Sequence, residues 1–318
     1  MNRANYPNLF IVGAAKSGTT SLHHYLSHSP EIYFSPVKEP CYFGSDIDIE
    51  KFHVNVKRAA KQDLIDYYKK NRVLTDRHIL YTQKMSDYLW LFSNIGDEKV
   101  IGEASTCYLY SKMAAAEIFE FNPLSKIIII LRNPVERALS HYFMRYNAGR
   151  EKIGDPFKAI KNDMDKREKA WGAAGNYFEL GLYFEQVQRY YEFFPKEQIC
   201  ILMMDDLKKD PSKLLGKVSS FLGVSDKFIR DVKLAKKNTP KKPRSHFLQI
   251  FSHNFLANRV IGLIPDTIKN ELKNIWYKND QNRYEHLSQN ERKILKRLYH
   301  EDISKLEIML NIDLTCWK

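Results

Sequence analysis

The residues best suited to hold an anion sit in one short loop. Phe10-Ile11-Val12-Gly13-Ala14-Ala15-Lys16-Ser17-Gly18-Thr19-Thr20 places small polar residues and a single lysine between an apolar run and a helix-like stretch. Backbone N–H groups at a helix start, with the positive end of the helix dipole, attract a phosphate-like group. Ile127 to Leu131 is followed by Arg132-Asn133-Pro134, with Ser140 eight residues after the arginine. A guanidinium at the carboxyl end of a strand can meet a doubly charged phosphate bidentately, and a serine hydroxyl adds a neutral donor. A third basic set, Lys241, Lys242 and Arg244, lies in a lysine-rich loop broken by Pro240 and Pro243. Two carboxylates complete the inventory: Glu39, in Lys38-Glu39-Pro40, and Glu103, in Gly102-Glu103-Ala104-Ser105. A glutamate raised by burial can act as a general base. Glu39 can equally be a loop carboxylate paired with Lys38, and Glu103 a strand-end carboxylate with a structural partner.

The elements that must position these residues read as an α/β pattern. Strands are predicted at 9–12, 99–104, 127–131 and 199–204. The run of four isoleucines and a leucine lacks polar alternation, which places that strand at the centre of a parallel sheet, buried on both faces. Helices are predicted at 19–27, at 134–147 with Asn133 as cap and Pro134 in the first turn, at 182–194, at 211–222 closing on Gly223, and at 288–310. Residues 149–175 read as a charged loop and a candidate mobile insertion. There is no repeat and no linker rich enough to divide the chain, so a single domain is expected.

The length of 318 residues is enough to bury a sizeable core, and 44% hydrophobic content argues against disorder. Lysine and arginine total 50 against 38 acids, a net charge of +12 that points to an anionic partner. That surplus is uneven, for Val232 to Pro265 contains seven basic residues and no acid. Cys41, Cys107, Cys200 and Cys316 are widely spaced, with no CxxC pair, so four reduced thiols are expected rather than disulfides or a zinc site. No apolar stretch has the length of a signal peptide or a membrane span, and a soluble, cytoplasmic protein is expected.

The first loop resembles a Walker A sequence but departs from it: Gly13 and Gly18 have the right gap, yet Thr19 stands where a nucleoside triphosphatase has lysine. Lys-Ser-Gly-Thr-Thr after a first strand, the Arg132-to-Ser140 motif and the late basic loop occur in the order found in sulfotransferases that use PAPS (3′-phosphoadenosine 5′-phosphosulfate). The resemblance covers residues 8–245 and leaves a helical C-terminal extension, 246–318. Ser35-Pro-Val-Lys38-Glu39-Pro-Cys-Tyr-Phe43 and Gly102-Glu103-Ala-Ser105 are similar to the heparan-sulfate and bacterial carbohydrate branch.

This resemblance implies a P-loop-kinase-like fold with a central parallel β-sheet flanked by helices, and in-line transfer of sulfonate from PAPS to an acceptor hydroxyl. Lys16 would neutralise the leaving oxygen, and Ser17, Gly18, Thr19 and Thr20 would hold the 5′-phosphate. Arg132 and Ser140 would hold the 3′-phosphate, with Lys241, Lys242 and Arg244 closing over the nucleotide. Adenosine 3′,5′-bisphosphate is the implied product. Glu39 matches the branch's general base, and no metal is required. The acceptor would be a carbohydrate or small metabolite, with Glu103 and Tyr183 on the acceptor side and no role for nucleic acid. Ala104 and Gly44 stand where heparan-type enzymes commonly carry Lys and Asp, which sets a heparan-like acceptor in doubt. A P-loop kinase or hydrolase, and a non-catalytic binder of anionic polymers, are the competing readings.

Overall fold

The computed structural model describes residues 6–52, 54–71, 73–169, 171, 175–230, 241–243, 277–279 and 286–318. Seven strands come first in the chain: β1 (Leu9–Gly13), β2 (Ile32–Phe34), β3 (Val37–Lys38), β4 (Arg77–His78), β5 (Val100–Ala104), β6 (Lys126–Leu131) and β7 (Ile199–Met203). Five of them form one parallel sheet in the order β2-β5-β1-β6-β7. The isoleucine strand β6 is therefore interior, between β1 and β7, but the central strand is β1. Its position follows from the short β2, which sits at the edge beyond β5 and gives no clear pattern in the sequence.

Both faces of the sheet are covered, which is why its strands need no polar alternation. Phe10, Val12, Ile127, Ile129 and Leu131 enter the larger core, while Leu9, Ile11, Ile128 and Ile130 enter the smaller one. The helices are α1 (Thr19–Leu26), α2 (Val54–Ile65), α3 (Met85–Trp90), α4 (Ala114–Phe121), α5 (Pro134–Asn147), α6 (Pro156–Met164), α7 (Tyr183–Phe193), α8 (Met204–Lys209), α9 (Pro211–Leu222) and α10 (Gln289–Leu310). Of these, α4, α5, α7 and α10 supply the larger core, and α1 and α9 the smaller.

Local chemistry sets the helix ends. Asn133 accepts from the N–H groups of Val135 and Glu136 and so starts α5 immediately after Arg132. A Ser288–Glu291 capping box starts α10. Within the stretch expected to be loop, Asp155 caps Lys158 N–H and Pro156 opens α6, so 149–175 is only partly irregular. The alternating charges of 158–166 conceal a helix whose inner face carries Ala159, Ile160 and Asp163.

The described part of the extension is not an appendage. Helix α10 packs on α5 and α7. Its Asp302 accepts from the N–H groups of Tyr183 and Phe184, capping α7 at 2.7 and 3.1 Å. Short strands Lys241–Pro243 (β8) and Tyr277–Asn279 (β9) pair antiparallel, so the backbone of Lys241 and Lys242 is ordered by pairing. Arg244 lies outside the described residues.

Candidate active site

The loop between β1 and α1 turns at Gly18, whose φ of 97° is left-handed and natural only to glycine. No side chain caps α1 and its first turn holds no acid, which leaves that helix end suited to an anion. Ser17 and Thr19 are buried in the turn, and Thr20 is partly exposed. Lys16 itself has φ 69°, and its ammonium donates to Met144 Sδ on α5 at 3.3 Å.

Arg132 is 2% exposed and stands directly across from this loop. One arm of its guanidinium donates to the Lys16 carbonyl at 3.2 Å, and the other to Glu136 at 3.0 Å. Beneath it, the fully buried Tyr183 donates from its hydroxyl to the Arg132 carbonyl at 2.9 Å. Ser140 is buried four residues beyond Glu136, on the same face of α5. Lys208, at the end of α8, reaches to 3.7 Å from Glu136, and nothing in the sequence marks it out. Its proximity arises only when α8 folds back beside α5.

Glu39 comes from the other side. Parallel pairing of β3 with β4 sets Lys38 opposite His78. Glu39 follows with φ 68°, its N–H bonded to Ala104 O and its carbonyl to Leu80 N–H. The carboxylate is buried, with Lys38 Nζ at 2.9 Å, the Thr106 hydroxyl donating at 3.0 Å, and His78 Nε2 at 3.9 Å. The Lys38 pairing considered from the sequence is thus present, and it leaves Glu39 held rather than solvated.

Burial lowers the His78 pKa, opposed by Glu39 and reinforced by the charges of Lys38 and Lys16. Burial also holds His141 well below its usual range, with Arg137, Arg145 and Lys16 adding to the effect. Lys16 is therefore felt both at the His78 that flanks Glu39 and at His141 on α5.

The two residues expected on the acceptor side sit behind the site. Tyr183 is fully buried and bonded to the Arg132 carbonyl. Glu103 is 1% exposed, and it accepts from Tyr88 Oη at 2.9 Å, Tyr108 Oη at 2.9 Å and Ser105 Oγ at 2.7 Å. Burial lifts its pKa to about 7, against the pull of those three hydroxyls, with the Glu39 charge contributing further. Open space lies elsewhere. A cleft of about 580 Å³ is lined by Tyr110, Trp171, Lys169 and Glu179 among others. Trp171 Nε1 donates to Tyr81 Oη at 3.2 Å, and Tyr81 directly follows Leu80, whose N–H bonds to the Glu39 carbonyl. Tyr110 Oη donates to the Lys169 carbonyl, and its ring lies 6.4 Å from that of Trp171.

An uncapped glycine turn at a first parallel strand, facing a strand-end arginine across its own loop, has the polarity to hold anionic groups. A family model described as "Sulfotransferase domain" matches residues 6–247. The chain belongs to the sulfotransferase family. A solved bacterial sulfotransferase, from Alicyclobacillus acidocaldarius, is 26% identical with a TM-score of 0.67, the match covering 98% of each chain. Curated relatives include "Membrane-associated sulfotransferase kil1" of Dictyostelium discoideum, 24% identical over 69% of this chain and 56% of that protein. Human "Heparan sulfate glucosamine 3-O-sulfotransferase 6" is 23% identical over 70% and 54% respectively. Mouse "Carbohydrate sulfotransferase 15" is 25% identical over 69% and 44%. The match thus spans about half the length of these curated relatives. Cellular location does not follow from this sulfotransferase's family, since one relative is named as membrane-associated. Among the described residues, no helix is long and apolar enough to cross a membrane, and no cluster of His, Cys, Asp or Glu has the makings of a metal site.

Proposed function

We propose that this sulfotransferase takes sulfonate from 3′-phosphoadenosine 5′-phosphosulfate and passes it to a carbohydrate hydroxyl, with Glu39 as general base. The observation that carries this reading is the hydrogen bond from Arg132 to the Lys16 carbonyl, which joins two phosphate-type sites into one cradle. A nucleotide with phosphates at both ends of its ribose suits such a pair. The α1 turn, Thr19 and Thr20 would take the 5′-side, and Arg132 with Ser140 the 3′-phosphate. Lys241 and Lys242 would approach from their loop.

The donor supplies an activated sulfonate when bound; the protein supplies position and charge. Lys16 would neutralise the negative charge that grows on the leaving phosphate oxygen, so its ammonium would favour the transition state over the ground state. Glu39 would accept the acceptor's proton as the new bond forms, and Lys38 on one carboxylate oxygen and Thr106 on the other hold the carboxylate in place. The carbohydrate reading is supported by relatives named for carbohydrate sulfation and by the aromatic cleft. Trp171 and Tyr110 offer flat apolar faces beside hydrogen-bonding groups, a combination that suits a sugar ring.

Titration calorimetry with adenosine 3′,5′-bisphosphate, combined with transfer of labelled sulfonate to a panel of oligosaccharides, tests this. Glu39→Gln should bind the nucleotide normally and lose turnover by about 10²–10⁴-fold. Undiminished transfer by that variant removes Glu39 as base. Absence of nucleotide binding by the wild type removes the donor assignment.

A further inference from the structure

Glu103 lies too deep to touch a substrate, yet it is surrounded by hydroxyls in a way that ordinary strand packing does not require. Two of its hydroxyl partners lead back to the loop that carries Glu39. Ser105 Oγ gives its proton to Glu103 and accepts from the Cys41 N–H at 3.1 Å. Tyr108 Oη gives its proton to Glu103 and accepts from two successive amides, Tyr42 N–H at 2.9 Å and Phe43 N–H at 3.1 Å. Three consecutive N–H groups immediately after Glu39-Pro40 are therefore gathered by two hydroxyls that one carboxylate orients.

The direction of these bonds matters. A hydroxyl has one proton, and if that proton points at a carboxylate, its lone pairs face the amides. An ionised carboxylate is acceptor-only, so Glu103 can take protons from Ser105, Tyr108 and Tyr88 together. The loop it fixes is one that the backbone would not choose unaided. Glu39 and Cys41 both have positive φ, 68° and 49°, although neither is glycine. Such a turn persists only where its surroundings over-determine it.

We propose that Glu103 is the positioning residue for Glu39, acting through Ser105 and Tyr108 to hold the 39–43 turn so that the Glu39 carboxylate meets the acceptor hydroxyl. This rests on the reading of Glu39 as base. It also assigns the buried hydroxyl cluster a purpose in turnover beyond stability.

Glu103 faces Glu39, Cys41, Tyr88, Cys107, Tyr108 and, further off, Tyr68 and Tyr190. Burial raises the thiol and phenol pKa values of this group, so those side chains keep their protons near neutrality. The Glu103 proton, which leaves near pH 7, then sets the direction of the network. Below that pH its carboxyl becomes a donor, and at least one of the three hydroxyls must turn its proton away from Glu103.

The test compares Glu103→Gln and Tyr108→Phe with wild type in the full chain. Gln keeps the volume but presents a donor on one side, reversing one hydrogen bond. Turnover should fall by about 10²-fold, the order expected for a base displaced by an ångström. Affinity for adenosine 3′,5′-bisphosphate should be unchanged. Hydrogen exchange at the 41–43 amides should quicken in both variants, and the fall of kcat on acidifying through pH 7 should disappear in Glu103→Gln. Wild-type kcat in both variants overturns the proposal, as does unaltered exchange at 41–43. A parallel loss of nucleotide affinity also overturns it, since that marks general loosening. If Glu103→Gln does not fold, Ser105→Ala and Tyr108→Phe decide by the same kcat, affinity and exchange readouts. Glu39→Gln, run alongside, keeps the two ideas apart: full activity there removes the base assignment, whereas the exchange result bears on positioning alone.

Discussion

Arg132 donates to the main-chain oxygen of Lys16 across 3.2 Å, so the ends of β6 and β1 form one hydrogen-bonded unit. Neither strand could shift by a residue without separating the guanidinium from the loop. The same side chain contacts Glu136, which Lys208 approaches from α8. A phosphate entering this place would meet two cations that a single carboxylate now holds in position.

Arg132→Ala is expected to weaken binding of adenosine 3′,5′-bisphosphate by about 1.5–3 kcal/mol for each charge-assisted hydrogen bond it removes. That corresponds to roughly 10- to 150-fold for a single bond. Titration calorimetry measures it. Unchanged affinity would refute the 3′-phosphate assignment.

Lys38 and Glu39 form a buried pair, and breaking such a pair leaves one charge uncompensated. Lys38→Met should lower unfolding free energy by about 3–5 kcal/mol in urea titrations. Adding Glu39→Gln should recover much of that loss, because the stranded carboxylate is then neutral. A double variant no more stable than Lys38→Met would show that the cost lies in packing of the lysine stem.

The anion site was legible in the sequence because its geometry is local. Gly18 sets a left-handed turn, Asn133 and Pro134 start a helix right after Arg132, and both signals are written within a few residues. The placement of Glu103 and Tyr183 was not. A glutamate ending a strand looks the same whether it faces a cleft or is wrapped by Tyr88 and Tyr108, which come from a different helix and a later loop. Tyr183 shows helical spacing whether it faces substrate or Arg132. Lys208 and Thr106 became site residues only through contacts made on folding. Helix α6 was hidden by its charges, and β2 was too short to show a period.

Trp171→Ala tests the aromatic cleft. If a sugar ring stacks there, KM for the acceptor should rise by about tenfold, in keeping with roughly 0.5–1.5 kcal/mol from aromatic contact plus the apolar area no longer covered. Nucleotide affinity should not change, because Trp171 bonds to Tyr81 and not to the phosphate loop. Steady-state kinetics at saturating donor measures the first quantity and calorimetry the second. An unaltered KM would take Trp171 out of the acceptor site.

Asp302 gives a pH prediction whose sign is fixed by its surroundings. Burial raises its carboxyl to about 6 from an ordinary 3.8, against the pull of the Phe184 and Tyr183 amides it caps. A carboxyl raised on folding favours the folded state when protonated, so its contribution is complete below the unfolded pKa and is lost as pH rises through about 6. Asp302→Asn cannot titrate and lacks this dependence. The difference in Tm, wild type minus Asp302→Asn, should therefore grow as pH falls from above 6 to about 4. Other groups titrate identically in the two proteins, so the subtraction isolates this one. Calorimetric melts at matched ionic strength across that range provide the measurement. A difference independent of pH would mean that Asp302 keeps its ordinary acidity while capping α7.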